Sequence, residues 1–403
     1  MPVGTPFHER TFPLCQSLNY RDWAGFYAVS SYEAHHDHEY NAVRNGAALF
    51  DISPLFKYLI TGRDAVTLVD RVITRDAQRL QVGQVIYTPW CNEQGQVLDD
   101  GTVTRVADER FRLTAAEPNL RWLRQHAAGL QAEVEDVSER VAALAIQGPT
   151  SARLLRQVAE ADIDTLKFFR MTSGIIAGAK VDISRTGYTG DLGYELWMDR
   201  DDATTVWDAL FEVGAAHALR PAGMLALDVT RIEAGLLLID VDFFSARKAL
   251  TTSQIYSPFE MGLGRLVDFN KGRFVGRAAL EAEHAVAPQR RIVGLAVEWP
   301  AVERLYDAVG LPPLAVSTAS RVAVPVYAKG RQVGRMTSST WSPVLKQMVG
   351  LATVTGAHSA AGTVLEVEHT VDAARHTVPA TVTATPFFRP ARKTLSVLAP
   401  TKR

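Results

Sequence analysis

From Arg290 onward the sequence changes texture, and that change limits the possible architectures more than any other feature of the chain. The runs RRIVGLAVEW, SRVAVPVYA, RQVGRMTSSTW, VLEVEHT and VPATVTATPFF are short and rich in valine and threonine, with polar or glycine-bearing segments between them. Strands of that length and spacing predict a separate β domain, a barrel or jelly roll, over residues 289–403, with APTKR as a loose tail. Upstream of Arg290 helical and strand patterns mix. The class is therefore α+β, segregated rather than regularly alternating. At 403 residues the chain exceeds what one core usually serves, so two or three domains are expected.

The mixed region has legible elements. EYNAVRNGAALFDIS is helix-like, with Ala42, Val43, Ala47, Leu49 and Phe50 as its apolar positions. A strand over Phe56–Ile60 precedes an amphipathic helix that Asp64 is placed to cap. Residues 84–114 read as a β-meander, followed by a helix near Leu120–Ala128 and a strand at VAALAIQG. GPTSARLLRQV reads as a helix with Pro149 in its first turn, and two more helices fit ATTVWDALFEVGAAHAL and AGMLALDVTRIEAGLLL.

Composition narrows the functional classes. With 47% hydrophobic and 22% charged residues the chain is ordinary globular material. A formal net charge of -1 gives no global electrostatic reason to expect nucleic acid or an anionic membrane as partner. The two cysteines, Cys15 and Cys91, form no CxxC pair, which suits a reducing compartment. No run of about 18 apolar residues occurs and the first residues lack a signal-peptide pattern, so a soluble cytoplasmic protein is expected. His35-His-Asp-His38-Glu39 has no second ligand group at a metal-site spacing, and no metal is expected. Ser184 and Ser253 lack a nucleophile-elbow context, and no GxGxxG follows a strand.

Three segments carry chemistry. Arg185-Thr-Gly-Tyr-Thr-Gly-Asp-Leu-Gly-Tyr-Glu195 is a bent, glycine-rich loop that brings backbone close to a ligand. Tyr188 offers it a flat face, and Glu195 an acceptor for paired N–H donors. The same carboxylate geometry suits an arginine, Arg231 or another. Tyr87 to Gly101 ends in the pair Asp99-Asp100, whose side chains point to opposite faces of a regular strand, so one is directed inward. An inward carboxylate needs a partner or a function, although a turn-proximal pair is the ordinary alternative. Asp228 and Arg231, three apart, share a helix face, where they suit an ion pair or the binding of a ligand's polar edge.

In order and wording these segments resemble the aminomethyltransferase (glycine-cleavage T-protein) family, and the resemblance spans nearly the whole chain. Its carriers are Glu39–Arg44 with Ala48–Ser53, Tyr87–Asp100, Gln147-Gly-Pro149, Gly187–Glu195, Asp228–Gly235, Lys271–Gly276 and Thr337–Pro343. The resemblance implies a three-domain cloverleaf around a central channel that holds tetrahydrofolate. It divides the chain into a discontinuous first domain, residues 1–52 with 141–250, and a second, 53–140 with 251–288. The β domain, 289–403, is the third. It also implies that Glu195 binds the pterin, that Tyr87, Tyr188 and Arg231 line the cofactor site, and that Asp100 is the catalytic carboxylate beside the reactive folate nitrogen. The expected reaction moves a methyl or aminomethyl-derived group from a small amine, sulfonium or ether donor to N5. A lipoylated carrier protein is a partner if the group is aminomethyl.

Several positions depart from the family pattern. Thr114-Ala-Ala-Glu117 replaces N-A-x-N, Gly95-Gln96 replaces G-G, Trp90 is bulky, Asp191 replaces the commoner Glu, and residues 240–260 are longer than the family link. These leave a demethylase branch as open as glycine cleavage. The contrasting class is a non-catalytic folate-binding protein of the iron–sulfur maintenance type, whose motif carries a cysteine. Lys271-Gly-Arg-Phe-Val-Gly276 has none.

Overall fold

The computed structural model describes residues 1–397, so the tail expected at 399–403 lies outside the described residues. The chain divides into two compact units. The first takes residues 1–88, 99–230 and the chain end from Arg389, and the second takes 89–98 and 231–388.

Two sheets make up most of the first unit. The larger has seven strands in the order Ala159–Glu160, Met171–Ile176, Ala179–Ser184, Gly193–Asp199, Val141–Gln147, Ala47–Asp51 and Leu219–Pro221. Only the last pair is parallel. Val141–Gln147 is apolar almost throughout because it is a central strand, and a strand buried on both faces loses the usual alternation. Leu144, Ile146, Val181, Ile183 and Leu196 pack with Leu154, Leu155, Val206, Trp207 and Leu210 from the helices Ser151–Val158 and Ala203–Gly214. Each such side chain contributes about 1.5–3 kcal/mol of burial.

The run read as one helix, EYNAVRNGAALFDIS, is two elements. A helix covers Asp37–Asn45, and Ala47–Asp51 is a strand. The break falls at Gly46, whose φ of -136° and ψ of -125° are not helical, and where a Cβ would lie 2.9 Å from the carbonyl of Ala218. Continuous apolarity in AALFD thus marks a central strand rather than a helix face. Glu39 explains part of the histidine-rich run. Its carboxylate accepts the backbone N–H groups of Tyr32 (2.6 Å) and Gly223 (2.7 Å), while His38 pairs with Glu33 at 2.7 Å. Among the described residues no three such side chains gather where a metal ion would sit.

Other helix ends also differ from expectation. Asp64 occupies the cap position, but its carboxylate accepts the Gln131 N–H at 2.8 Å instead of one from its own first turn. Pro149 lies ahead of its helix, which begins at Ser151. The helix over Met224–Glu233 stops before LLL because Gly235 adopts a left-handed φ of +64°.

The second sheet has the order Val85–Cys91, Val97–Ala107, Arg110–Ala115, Phe56–Thr61 and Glu133–Asp136. The expected meander forms its first three strands, with the tip, residues 89–98, assigned to the second unit. Alternation along Val97–Ala107 buries Asp99 fully and leaves Asp100 half-buried.

The second unit contains a closed six-stranded antiparallel barrel, and the alternative of a jelly roll falls away. Around it run Arg290–Val297, Gln347–Thr355, Arg331–Ser342, Val324–Ala328, Val364–Val371 and Ala374–Thr383, which returns to Arg290–Val297. Closure pairs the strands that would otherwise be edges. Leu295, Val326, Met336, Val354, Leu365, Val378 and Val382 fill the interior. No helix among the described residues is long and apolar enough to cross a membrane.

Candidate functional site

Asp99 and Asp100 divide their labour by alternation. Asp99 accepts three donors, the backbone N–H of Asp100 (2.8 Å) and Glu117 (3.0 Å) and the side-chain amide of Asn119 (2.9 Å). Asn119 is fixed in turn by its own N–H bond to the Tyr58 hydroxyl at 2.7 Å. An asparagine therefore stands two residues past Glu117, where sequence comparison found the family's asparagine missing. Burial and the neighbouring Asp100 charge push the Asp99 carboxyl well above the usual carboxylate range. Asp99 ties the strand to the segment that follows its neighbour.

Asp100 faces the other way. The Tyr87 hydroxyl donates to its Oδ2 at 2.6 Å, and no other side chain among the described residues donates to this carboxylate. Burial pushes the Asp100 carboxyl up to about 6, with the Tyr87 bond pulling against it. Burial also raises the Tyr87 phenol, and the charges of Asp100 and Tyr188 add to that, so Tyr87, Asp100 and Tyr188 share one electrostatic environment.

Glu195 is the third residue of the strand Gly193–Asp199, opposite Ser184. A line of hydroxyls orients it. Trp197 Nε1 donates to Ser184 Oγ at 3.4 Å, Ser184 and Thr186 hydroxyls meet at 2.8 Å, and Thr186 Oγ1 donates to Glu195 Oε2 at 2.6 Å. Among the described residues the other carboxylate oxygen has no donor. Burial raises the Glu195 carboxyl, and the Thr186 bond and the Arg112 charge oppose that rise. No ion pair closes on Glu195 among the described residues, so the arginine-partner reading reduces to a nearby cation.

That cation was not singled out in the sequence. Arg112 projects from the meander, bonds Asp182 at 2.9 Å and lies 4.6 Å from the centre of the Trp197 ring. It therefore ties the face of the five-stranded sheet that carries Asp100 to the face of the seven-stranded sheet that carries Glu195. Its Nε is buried without a protein partner. RFRLTAA alternates as a half-exposed strand does, and nothing local says that its polar face meets a second sheet. A cavity of about 800 Å³ follows these faces past Arg112, Asp182 and Trp197. Its walls do not include Tyr87, Asp100, Tyr188 or Glu195.

Gln147 shapes the glycine-rich loop. It is fully buried, accepts from Thr189 Oγ1 at 2.8 Å, and donates to the carbonyls of Thr186 (3.2 Å) and Tyr194 (3.4 Å). A Cβ at Gly187 or Gly193 would overlap the Gln147 amide, so both glycines are required by close approach; Gly190, at φ +74°, makes the turn.

Arg231 belongs to the second unit. It is fully buried, and its Nη1 donates to Asp242 Oδ2 at 2.5 Å, Ser338 Oγ at 3.3 Å and the Leu236 carbonyl at 3.3 Å. Thr337 and Ser338 hydroxyls both donate to Asp242 Oδ1 at 2.7 Å. Asp228, in the first unit, pairs with Arg21 at 3.7 Å.

The GCVT N-terminal domain model matches residues 16–271, and the glycine cleavage T-protein C-terminal barrel domain model matches residues 309–389. The chain belongs to the glycine cleavage T-protein family. Among relatives in this family, the aminomethyltransferase of Streptomyces avermitilis is 35% identical over 399 residues, covering 96% of this chain and 99% of the relative. That of Caldanaerobacter subterraneus subsp. tengcongensis is 33% identical over 334 residues, covering 82% of each. The crystal structure of aminomethyltransferase T from Bartonella henselae superposes with a TM-score of 0.81 at 24% identity, over 96% of this chain and 99% of that one. It shares the T-protein fold, C-terminal barrel included.

Proposed function

We propose that this chain is a tetrahydrofolate-dependent one-carbon transferase, with the folate held among Tyr87, Asp100, Tyr188 and Glu195. The observation that carries the reading is Glu195, a half-buried carboxylate steadied through one oxygen by Thr186, with its second oxygen open and the Arg112 charge close by. A reduced pterin offers an amino group and an adjacent ring N–H, the paired donors that such a carboxylate accepts. The residues present therefore fit the group.

When bound, tetrahydrofolate supplies the N5 nitrogen that takes up the one-carbon unit. The protein's share is orientation and proton management. Glu195 fixes the ring edge, and Tyr188 gives it a face. Tyr87 holds one oxygen of Asp100 and leaves the other for hydrogen bonding. With its carboxyl near 6, Asp100 is ionised at neutral pH yet basic enough to take a proton in passing. Arg231 enters this proposal on family resemblance alone, as does the central folate channel.

The donor is a methyl or aminomethyl-bearing molecule, either a small amine, sulfonium or ether, or an aminomethyl group on a lipoylated carrier. Asp100 with its tyrosine partner favours an enzyme over a folate-binding protein of the iron–sulfur maintenance type. Titration calorimetry with reduced tetrahydrofolate tests the site. Loss of one charge-assisted bond pair in Glu195→Gln costs about 1.5–3 kcal/mol, or roughly 10- to 150-fold in Kd. Wild-type protein that does not bind removes the folate reading. Binding without turnover of any methylated donor or loaded carrier favours the non-catalytic alternative.

A further inference from the structure

After the barrel the chain returns to the first unit, and residues 389–397 run against the glycine-rich loop as a strap. Two anchors hold it. At the start of the loop, buried Arg185 directs Nη2 at three strap carbonyls, those of Leu395 (2.6 Å), Arg392 (3.3 Å) and Lys393 (3.3 Å), and Nη1 at the Leu166 carbonyl (3.1 Å). Beyond the turn, Arg392 of the strap forks onto Asp191, Nε to Oδ1 at 2.6 Å and Nη2 to Oδ2 at 2.8 Å. Arg392 Nη2 also donates to the Arg44 carbonyl at 3.0 Å.

The Asp191 carboxylate is fully buried and saturated. Besides Arg392 it accepts the Leu192 N–H at 2.8 Å on Oδ1 and Arg44 Nη1 at 3.1 Å on Oδ2. Arg44 Nη1 donates also to the Thr189 carbonyl at 3.1 Å. Each anchor is thus an arginine bonded across the boundary between loop and strap, one pointing each way. Tyr188 lies between them, and Glu195 follows four residues after the second.

We infer that Arg392 and Arg185 are positioning residues, and that the strap is a latch that sets the conformation in which the loop presents Tyr188 and Glu195. The inference rests on the proposed folate site for its functional consequence, but not for its structural one. A planar fork on a carboxylate fixes both distance and orientation, which a single ammonium does not. Tightening a loop before the ligand arrives lowers the ordering cost of binding.

The test uses full-length Arg392→Ala and Arg392→Lys. Arg392 is partly exposed, and Asp191 keeps Arg44 in both variants, so the fold is retained. The expected result is a rise of about tenfold or more in Kd or KM for tetrahydrofolate in Arg392→Ala, with a much smaller change in kcat. Arg392→Lys restores charge without the fork and falls between. Amide hydrogen exchange is read in parallel, because the Leu192 N–H reports on Asp191 directly. Faster exchange across residues 187–192 in Arg392→Ala supports the latch, whether or not the wild type binds folate. Wild-type exchange there overturns it. Faster exchange with unchanged Kd keeps the latch but overturns its link to the ligand, and failure of wild type to bind is a failure of the folate reading alone.

Discussion

The hydrogen bond from Tyr87 to Asp100 makes a quantitative prediction about pH dependence. The phenol donates at 2.6 Å to a carboxyl that burial has raised to about 6, and it favours the ionised form. Removing a neutral donor from a charged, half-buried acceptor costs that ionised form about 1.5 kcal/mol, and one pKa unit corresponds to about 1.4 kcal/mol. In Tyr87→Phe the Asp100 carboxyl should therefore rise by about one unit, to roughly 7. If ionised Asp100 supports transfer, kcat/KM climbs through pH 6 in wild type and through about pH 7 in the variant. Asp100→Asn should abolish that limb.

The same shift bears on stability. An unfolded aspartate titrates near 3.8, so between about 3.8 and 6 the folded chain holds the extra proton and loses stability as pH rises. Asp100→Asn should then unfold at a higher temperature than wild type at pH 7, with the gap closing toward pH 4. Single-turnover rates across pH 5–9, with melting curves at both ends, make the measurement. An acid limb that stays put in Tyr87→Phe, or survives in Asp100→Asn, would refute the reasoning.

Two further outcomes follow from buried groups around the site. Lys57 is fully buried, donates to the carbonyls of Ser53 (2.6 Å) and Ser138 (3.1 Å), and is brought down to about 8 by burial. Unfolding takes up a proton between about pH 8 and 10.5, so wild type gains stability relative to Lys57→Met across that window, on the order of 3 kcal/mol in all; parallel pH profiles of the two melting temperatures would contradict this. Gly193→Ala drives a methyl into the Gln147 amide that organises the loop, and overpacking there should cost about 1–3 kcal/mol. A wild-type denaturant midpoint would show that Gln147 can move aside.

The barrel was legible because closed β domains are built from local patterns, short alternating strands with turns between them. Asp99 and Asp100 were legible for the same reason, since opposite faces of one strand separate a fully buried carboxylate from a half-buried one. The apolar run AALFD misled because a central strand covered on both faces has no period, and only the contact of Gly46 with Ala218 reveals the break. Arg112 was missed because an inward arginine on an alternating strand looks like a solvated one until a second sheet covers it. Residues 389–397 showed nothing in sequence. Their meaning depends on Asp191 and Arg185, each about two hundred residues earlier.

That separation sets an order on the making of the protein. A ribosome releases residues 187–195 long before 389–397, and domains fold as they emerge. The sheet that carries Glu195 is complete by Pro221, yet Asp191 and Arg185 must wait through synthesis of the whole barrel for their last partners. A nascent or truncated chain can therefore own every residue of the proposed folate site while its loop is still unfinished, which ties the proposed activity to the arrival of residues 389–397.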